Sequence, residues 1–189
     1  MTGNIMIVGV GGQGTLLTSR ILGAALIERG YDVKVSEVHG MSQRGGSVVT
    51  YVRYGESVAS PLVETGEADV ILAFEELEAY RTLPFLKAGG KLLVNTQAID
   101  PMPVITGAAK YPEGIVEKLK GDHELQTLDA LSLAKEAGSP RCANVVLIGL
   151  LARNMDLKKE TWLSAIRKTV PAKLLEVNEK AFELGYSAP

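Results

Sequence analysis

The chain has 189 residues with 20 Lys+Arg against 22 Asp+Glu, a formal net charge of -2. That length favours one domain with a real hydrophobic core, and 46% apolar with 22% charged residues excludes global disorder. The near-neutral balance and the lack of any Lys/Arg-rich run argue against a nucleic-acid binder. The single cysteine, Cys142, rules out an internal disulfide, a cysteine zinc site and an iron–sulfur cluster held by this chain alone.

In chain order, residues 5–10 (Ile-Met-Ile-Val-Gly-Val) read as a short buried strand, too short to span a bilayer and stopped by glycine. The first residues show neither a basic segment nor a cleavage pattern, so a soluble cytoplasmic protein without a membrane span is expected. Residues 15–29 have helical spacing with one apolar face and a stop at Gly30; 31–35 form a second strand. Strand, glycine turn, helix and strand predict a parallel, right-handed βαβ unit. A polar, glycine-rich stretch over 36–46 follows. Next come a strand over 47–54, a turn at Gly55-Glu56-Ser57, and a short partner strand over 58–62.

Residues 69–74 are again a buried strand, 75–86 a helix limited by Pro84, Gly89-Gly90 a turn, and 91–95 a buried strand. Pro101, Pro103 and Pro112 make 95–115 a loop region with short elements at most. A last short strand covers 124–128. Asp129 stands where a helix N-cap falls, ahead of 130–137. The strongly apolar 143–154 reads as a buried helix, and 158–169 and 171–184 as two amphipathic ones. The fold expected is α/β: a Rossmann-like doubly wound, mostly parallel sheet with helices on both faces and a helical C-terminal third packed on the same sheet.

Two loops carry the chemistry. Gly9-Val10-Gly11-Gly12-Gln13-Gly14 matches G-x-G-x-x-G between a predicted strand and a predicted helix. Glycines let the backbone approach a phosphate, and the helix that opens at Thr15 points free N–H groups and a partial positive charge at it. Glu37 stands roughly where the acidic, ribose-binding partner of that fingerprint falls. This supports a nicotinamide-dinucleotide reading; plain strand–helix packing explains the glycines equally. The second loop, Glu37-Val38-His39-Gly40-Met41-Ser42-Gln43-Arg44-Gly45-Gly46, emerges at the carboxyl edge of the sheet, where ligands of open α/β sheets bind. Arg44 is suited to grip a phosphate or carboxylate and His39 to relay a proton; an intersubunit ion pair and a loop hydrogen bond are their simpler readings. Ser42 has no nucleophile-elbow context. His123 reads as a solvated turn residue, Cys142 as buried packing, and Glu75, Glu76 and Glu78 as a solvated first helical turn favoured by the helix dipole.

Taken together, these two loops resemble the gamma subunit or domain of the 2-oxoacid:ferredoxin oxidoreductases, and within that family the small (beta) subunits of the indolepyruvate:ferredoxin oxidoreductases. The likeness extends through Asn178-Glu179-Lys180-Ala181-Phe182-Glu183-Leu184-Gly185-Tyr186, so it covers nearly the whole chain as one gamma-type domain over 1–189. It implies a Rossmann-like subunit of an enzyme that oxidatively decarboxylates an aryl 2-oxoacid such as indolepyruvate to the acyl-coenzyme A and reduces ferredoxin. It further implies that thiamine diphosphate, magnesium and the iron–sulfur clusters reside on the large (alpha) subunit. The isolated chain is then inactive and free to form a homodimer. Under the resemblance, the loop from Gly9 through Gly11, Gly12, Gln13 and Gly14 to Thr15 contacts a coenzyme A phosphate in preference to a dinucleotide, or holds no ligand and serves as a plain interface. Glu37, His39, Met41, Ser42, Gln43, Arg44, Gly45 and Gly46 form an interface or active-site-facing loop, and no residue receives a catalytic role. The chain has no Gly-Asp-Gly stretch followed by an Asn-Asn pair, the pattern of thiamine diphosphate–magnesium sites. A stand-alone coenzyme A- or NAD(P)-binding module, or a dehydrogenase, is the competing expectation.

Overall fold

The computed structural model describes residues 2–39 and 45–189. The elements run β1 (Gly3–Val10), α1 (Thr15–Glu28), β2 (Asp32–His39), β3 (Ser47–Gly55), β4 (Ala68–Ala73), α2 (Glu76–Thr82), β5 (Leu86–Asn95), α3 (Met102–Ile105), α4 (Ile115–Lys118), β6 (Glu124–Leu128), α5 (Ala130–Ala137), α6 (Ala143–Arg153), α7 (Lys159–Thr169) and α8 (Leu175–Ser187). The strands form a six-stranded sheet in the order β2-β3-β1-β4-β5-β6. β1, β4, β5 and β6 pair in parallel, while β3 runs antiparallel to both β1 and β2.

Alternation along β1 explains its unbroken apolar run. Ile5 and Ile7 point to one face, under α1, α6, α7 and α8, with Leu22, Val146, Trp162 and Phe182 in the same core. Met6 and Val8 point to the other, under Leu77 of α2, Ile115 of α4 and Leu119 just past its end. A strand covered on both sides has no polar face to show. The helical C-terminal third packs on the first of these faces, as its apolar spacing requires.

The βαβ expectation is corrected in one respect. β2 runs in the same direction as β1, but β3 lies between them. β3 pairs with β1 over eight residues, from Gly3 opposite Tyr54 to Val10 opposite Ser47, and with β2 from Asp32 opposite Gly55 to His39 opposite Val48. β3 brings Val48, Thr50 and Val52 into the buried layer; β2, with half-buried Asp32 and Lys34, suits the edge. Residues 36–39, expected in a loop, continue β2 because β3 supplies their backbone partners. Residues 58–62 form no strand, since both edges of β3 are already taken. The expected turn at Gly89-Gly90 is strand as well: β5 starts at Leu86, paired with Ala68, and shifts register before Val70 meets Lys91.

Local signals fixed the other boundaries. Gly30 ends α1 in the left-handed region (φ 85°) and donates its N–H to Ile27 O at 2.9 Å. Asp129 caps α5, accepting from Ser132 N at 3.0 Å. Among the described residues no helix is long and apolar enough to cross a membrane.

Candidate functional site: the glycine loop and the cleft beside it

The chain leaves β1 through the glycine loop and enters α1 at Gly14, which adopts a left-handed conformation (φ 88°) that glycine alone takes at little cost. A Cβ atom at Gly14 would also sit 3.0 Å from Asn144 Nδ2 and press on that side chain, adding to the backbone strain. At Gly9 a Cβ would lie 2.8 Å from Phe74 Cβ. Gly12 is different: left-handed (φ 103°) with nothing within 4 Å of a Cβ, it borders open space. Thr15, buried, is the first helical residue.

Gln13 fastens the loop. Its Oε1 accepts from Val10 N at 2.7 Å, while Nε2 donates to Phe74 O at 2.9 Å and to Gln97 Oε1 at 3.2 Å. Asn95 joins the same cluster, donating to Phe74 O at 3.0 Å and accepting from Ala130 N at 3.0 Å. The Gln13 carboxamide is thus committed to closing the carboxyl ends of β1 and β4. The α1 N-terminus has no side-chain cap, and its first helical bond is Thr18 N to Gly14 O. In the preceding turn Gln13 N donates to Val10 O at 3.2 Å, while the N–H groups of Gly12 and Gly14 have no acceptor among the described residues and remain available to an anion.

The second loop leaves β2 and returns to β3 against the first. Gly11 N donates to Gly46 O at 2.8 Å and Gly45 N to Gly11 O at 3.4 Å. The two loops singled out in the sequence therefore meet at the carboxyl edge. Met41, Ser42, Gln43 and Arg44, and the side chain of His39, lie outside the described residues. Glu37 is half-buried and stands opposite Thr50 of β3, which in turn stands opposite Ile7 of β1. It is two strands from β1, about 10 Å at ordinary strand spacing. A ribose-binding acid sits at the end of the strand next to β1, so the inserted β3 removes the geometry on which the dinucleotide reading rests.

Two carboxylates expected in solvent are buried instead. Glu75 is 1% exposed; it caps α2 through Glu78 N at 2.9 Å and accepts from Ile99 N at 3.1 Å and from the Tyr111 hydroxyl. Burial, and then the bond to Glu75, hold the Tyr111 phenol far above its ordinary range. Burial, with the Glu75 charge second, raises Glu76. Glu78, 3% exposed, accepts from Ser47 Oγ and from the Arg81 guanidinium, each at 2.5 Å. It thereby pins the end of the second loop to α2. A cleft of about 210 Å³ opens there between Gly46, Ser47, Glu78, Arg81, Pro101 and Met102.

The larger cleft, about 620 Å³, lies on the other side of the glycine loop. Gly12, Gly14 and Leu17 form one wall and Arg141, Asn144 and Leu174 the other. The sequence reading missed this second wall, because Asn144 stands in the first turn of a helix that is apolar from there to Arg153. A lone amide in such a run was the available signal. Cys142, buried beside it, has its thiol pushed up by burial, against a smaller lowering by Ser139, which makes it a packing residue. His123 is half-buried rather than solvated, its Nε2 2.7 Å from Leu119 O. Among the described residues no group of three or more His, Cys, Asp or Glu is placed to hold a metal ion.

Comparison with known proteins gives the site its setting. The family profile for pyruvate ferredoxin/flavodoxin oxidoreductase matches residues 4–188. An indolepyruvate oxidoreductase subunit IorB from Thermococcus kodakarensis is 47% identical, covering 98% of this chain and 95% of the relative, and that from Pyrococcus horikoshii is 46% identical over the same shares. Among solved structures, the gamma subunit of a keto/oxoacid ferredoxin oxidoreductase from Geobacter sulfurreducens superposes with TM-score 0.74 at 26% identity, covering 97% of this chain and 96% of that one. A 2-oxoglutarate:ferredoxin oxidoreductase from Magnetococcus marinus, solved with 2-oxoglutarate, coenzyme A and succinyl-CoA bound, shares the fold at TM-score 0.76 and 20% identity. This chain matches 30% of it.

Proposed function

Because the chain belongs to the pyruvate ferredoxin/flavodoxin oxidoreductase family, we propose that it is the small subunit of an oxidoreductase acting on indolepyruvate and related aryl 2-oxoacids. The reaction is 2-oxoacid + coenzyme A + two oxidised ferredoxins giving acyl-coenzyme A + CO2 + two reduced ferredoxins + H+. The observation that carries this reading is the near full-length identity to indolepyruvate oxidoreductase small subunits, 46–47% over 98% of the chain.

The division of labour follows from the donor set. One buried cysteine does not fit an iron–sulfur cluster. Thiamine diphosphate with magnesium, and the clusters, belong to the larger alpha subunit and supply decarboxylation and electron transfer there. Ferredoxin docks on the holoenzyme, whose setting is the cytoplasm. This chain contributes surfaces. The glycine loop, with Gly12 bordering open space and the uncapped start of α1, receives a phosphate of coenzyme A. The loop from Glu37 to Gly46, held by Gly11 and by the Ser47–Glu78 bond, faces the partner and its active site.

Anaerobic co-expression with a large subunit tests the assembly. The expected product is a brown complex that reduces ferredoxin with indolepyruvate and coenzyme A, while this chain alone is colourless and inactive. Turnover by the isolated chain, or failure to associate with any thiamine-dependent iron–sulfur subunit from its own cell, overturns the reading.

A further inference from the structure

We infer that the smaller cleft, of about 210 Å³, is the pocket for the aryl group of the 2-oxoacid, a wall that this chain adds to the active site of the large subunit; this rests on the function proposed above. Its place follows from the sheet. β1 and β4 are parallel neighbours. The chain leaving β1 turns to the face of Ile5 and Ile7, where α1 packs, and the chain leaving β4 turns to the face of Met6 and Val8, where α2 packs. Between two such strands a crevice opens outside the carboxyl ends, and ligands of open α/β sheets bind there. The glycine loop occupies one side of this switch point. The 210 Å³ cleft occupies the other, bounded by Val10 at the end of β1, Leu77 and Arg81 of α2, and Ile99, Pro101 and Met102 from the segment after β5.

The lining selects the chemistry. Val10 and Leu77 are buried and make an apolar floor, which Ile99 and Pro101 extend. The one carboxylate at the rim, Glu78, already accepts from Ser47 and Arg81. Arg81 is half exposed, and its planar guanidinium is suited to lie over an aromatic face. Met102, 58% exposed, stands on α3 between Pro101 and Pro103, whose rings fix the backbone that carries it. Its thioether packs well against the edge of a ring. Pockets that hold a whole drug-sized ligand run about 300–1,000 Å³. At 210 Å³ the cleft takes the ring alone and leaves the 2-oxoacid group outside, free to reach the large subunit. The methyl group of pyruvate leaves it unfilled.

The test uses the assembled two-subunit enzyme with indolepyruvate and the smaller phenylpyruvate. Met102 is exposed, so replacing it leaves the core intact. Met102→Ala removes a wall of the cleft and is expected to lower kcat/KM for indolepyruvate about tenfold, the scale of a hydrophobic contact in a specificity pocket. KM for coenzyme A stays within about twofold. Met102→Leu, which keeps the apolar wall, restores most of the loss. Met102→Trp fills the cleft from its rim, so kcat/KM falls about fivefold or more further for the two-ring substrate than for the one-ring substrate. A second readout is inhibition by indole-3-acetate, which has the ring and a carboxylate but no oxo group; its inhibition constant rises about tenfold in Met102→Ala. Unchanged constants in Met102→Ala overturn the inference. Equal losses for both rings in Met102→Trp, or a loss of subunit association in either variant, make this face a plain subunit contact and overturn it as well. A parent enzyme that turns over neither aryl substrate instead removes the proposed function on which the pocket rests.

Discussion

Gly185 of α8 rests directly on the Val146 carbonyl of α6: a Cβ atom at Gly185 would overlap that oxygen and lie 2.7 Å from the carbonyl carbon. Gly149 answers from α6, where a Cβ would lie 2.6 Å from the Tyr186 nitrogen. The two helices cross backbone to backbone, which brings Asn178 of α8 to the cleft that Asn144 of α6 also lines. Alanine at a helical glycine ordinarily gains about 1 kcal/mol of helix propensity. Here the atoms in the way are backbone and cannot turn aside, so overpacking of about 1–3 kcal/mol or more decides the sign.

Gly185→Ala is accordingly expected to lower the thermal midpoint by about 5 °C or more, at roughly 2–4 °C per kcal/mol for a chain of this size. Gly23→Ala is the counter-example. Gly23 sits inside α1 with nothing within 4 Å of a Cβ. There the propensity term stands alone, and the midpoint rises by about 2–4 °C. Circular dichroism melts of the two variants check both signs; a stabilised Gly185→Ala would contradict the crossing.

Gln13 predicts a charge-specific defect. Its Nε2 faces two acceptors, Phe74 O and Gln97 Oε1. Gln13→Glu puts a carboxylate oxygen against both and is expected to cost about 1–3 kcal/mol at neutral pH. Lowering the pH toward 4 protonates the new carboxyl, restores a donor and recovers part of the loss. Urea unfolding at pH 7 and pH 4 measures it. A defect independent of pH would mean that the amide's donor is idle.

The elements read correctly from sequence are those fixed by neighbours in the chain. The apolar run of β1 ends in glycines, α1 stops at Gly30, and Asp129 caps α5 three residues before Ser132. What sequence reasoning misplaced depends on distant partners. β3 comes between β1 and β2 through long-range pairing, which moved Glu37 away from the glycine loop. Glu75 and Glu78 looked solvated because the groups that bury and satisfy them are remote: Tyr111 is 36 positions from Glu75, Ile99 is 24, and Ser47 is 31 from Glu78. The glycine motif marked one wall of the cleft; the other comes from α6, more than a hundred residues on. No local pattern joins the two walls, since only the folded sheet brings them together.

Asp129 offers an acid-side prediction. Hydrogen bonds from the Ser132 hydroxyl and then the Ser132 N–H hold its carboxyl below the ordinary range. The lowered value means that the ionised cap stabilises the fold above the unfolded carboxyl's pKa, near 4, and loses that effect as pH falls through the folded one. Asp129→Ala is expected to cost about 1 kcal/mol at neutral pH. Its stability curve should converge on that of the parent under acid conditions; parallel curves down to pH 2 would show that the cap does not titrate as placed.

Tyr111 governs the alkaline side. Its hydroxyl donates to Glu75, and burial first, then that bond and the nearby carboxylate charges, favour the neutral phenol. With the folded value raised, the stabilisation is complete below the unfolded tyrosine's pKa, near 10, and is lost progressively as pH rises beyond it. Tyr111→Phe removes a donor from a buried carboxylate and is expected to cost about 1–3 kcal/mol at pH 7. Because the variant has no phenol there to ionise, its midpoint should fall less steeply than the parent's between pH 10 and 11.5. Tyr54 and Cys142, also raised by burial, contribute a slope common to both proteins. Thermal melts across that range decide the matter: equal slopes for parent and variant would separate the Tyr111 hydroxyl from the Glu75 carboxylate that the fold brings to it.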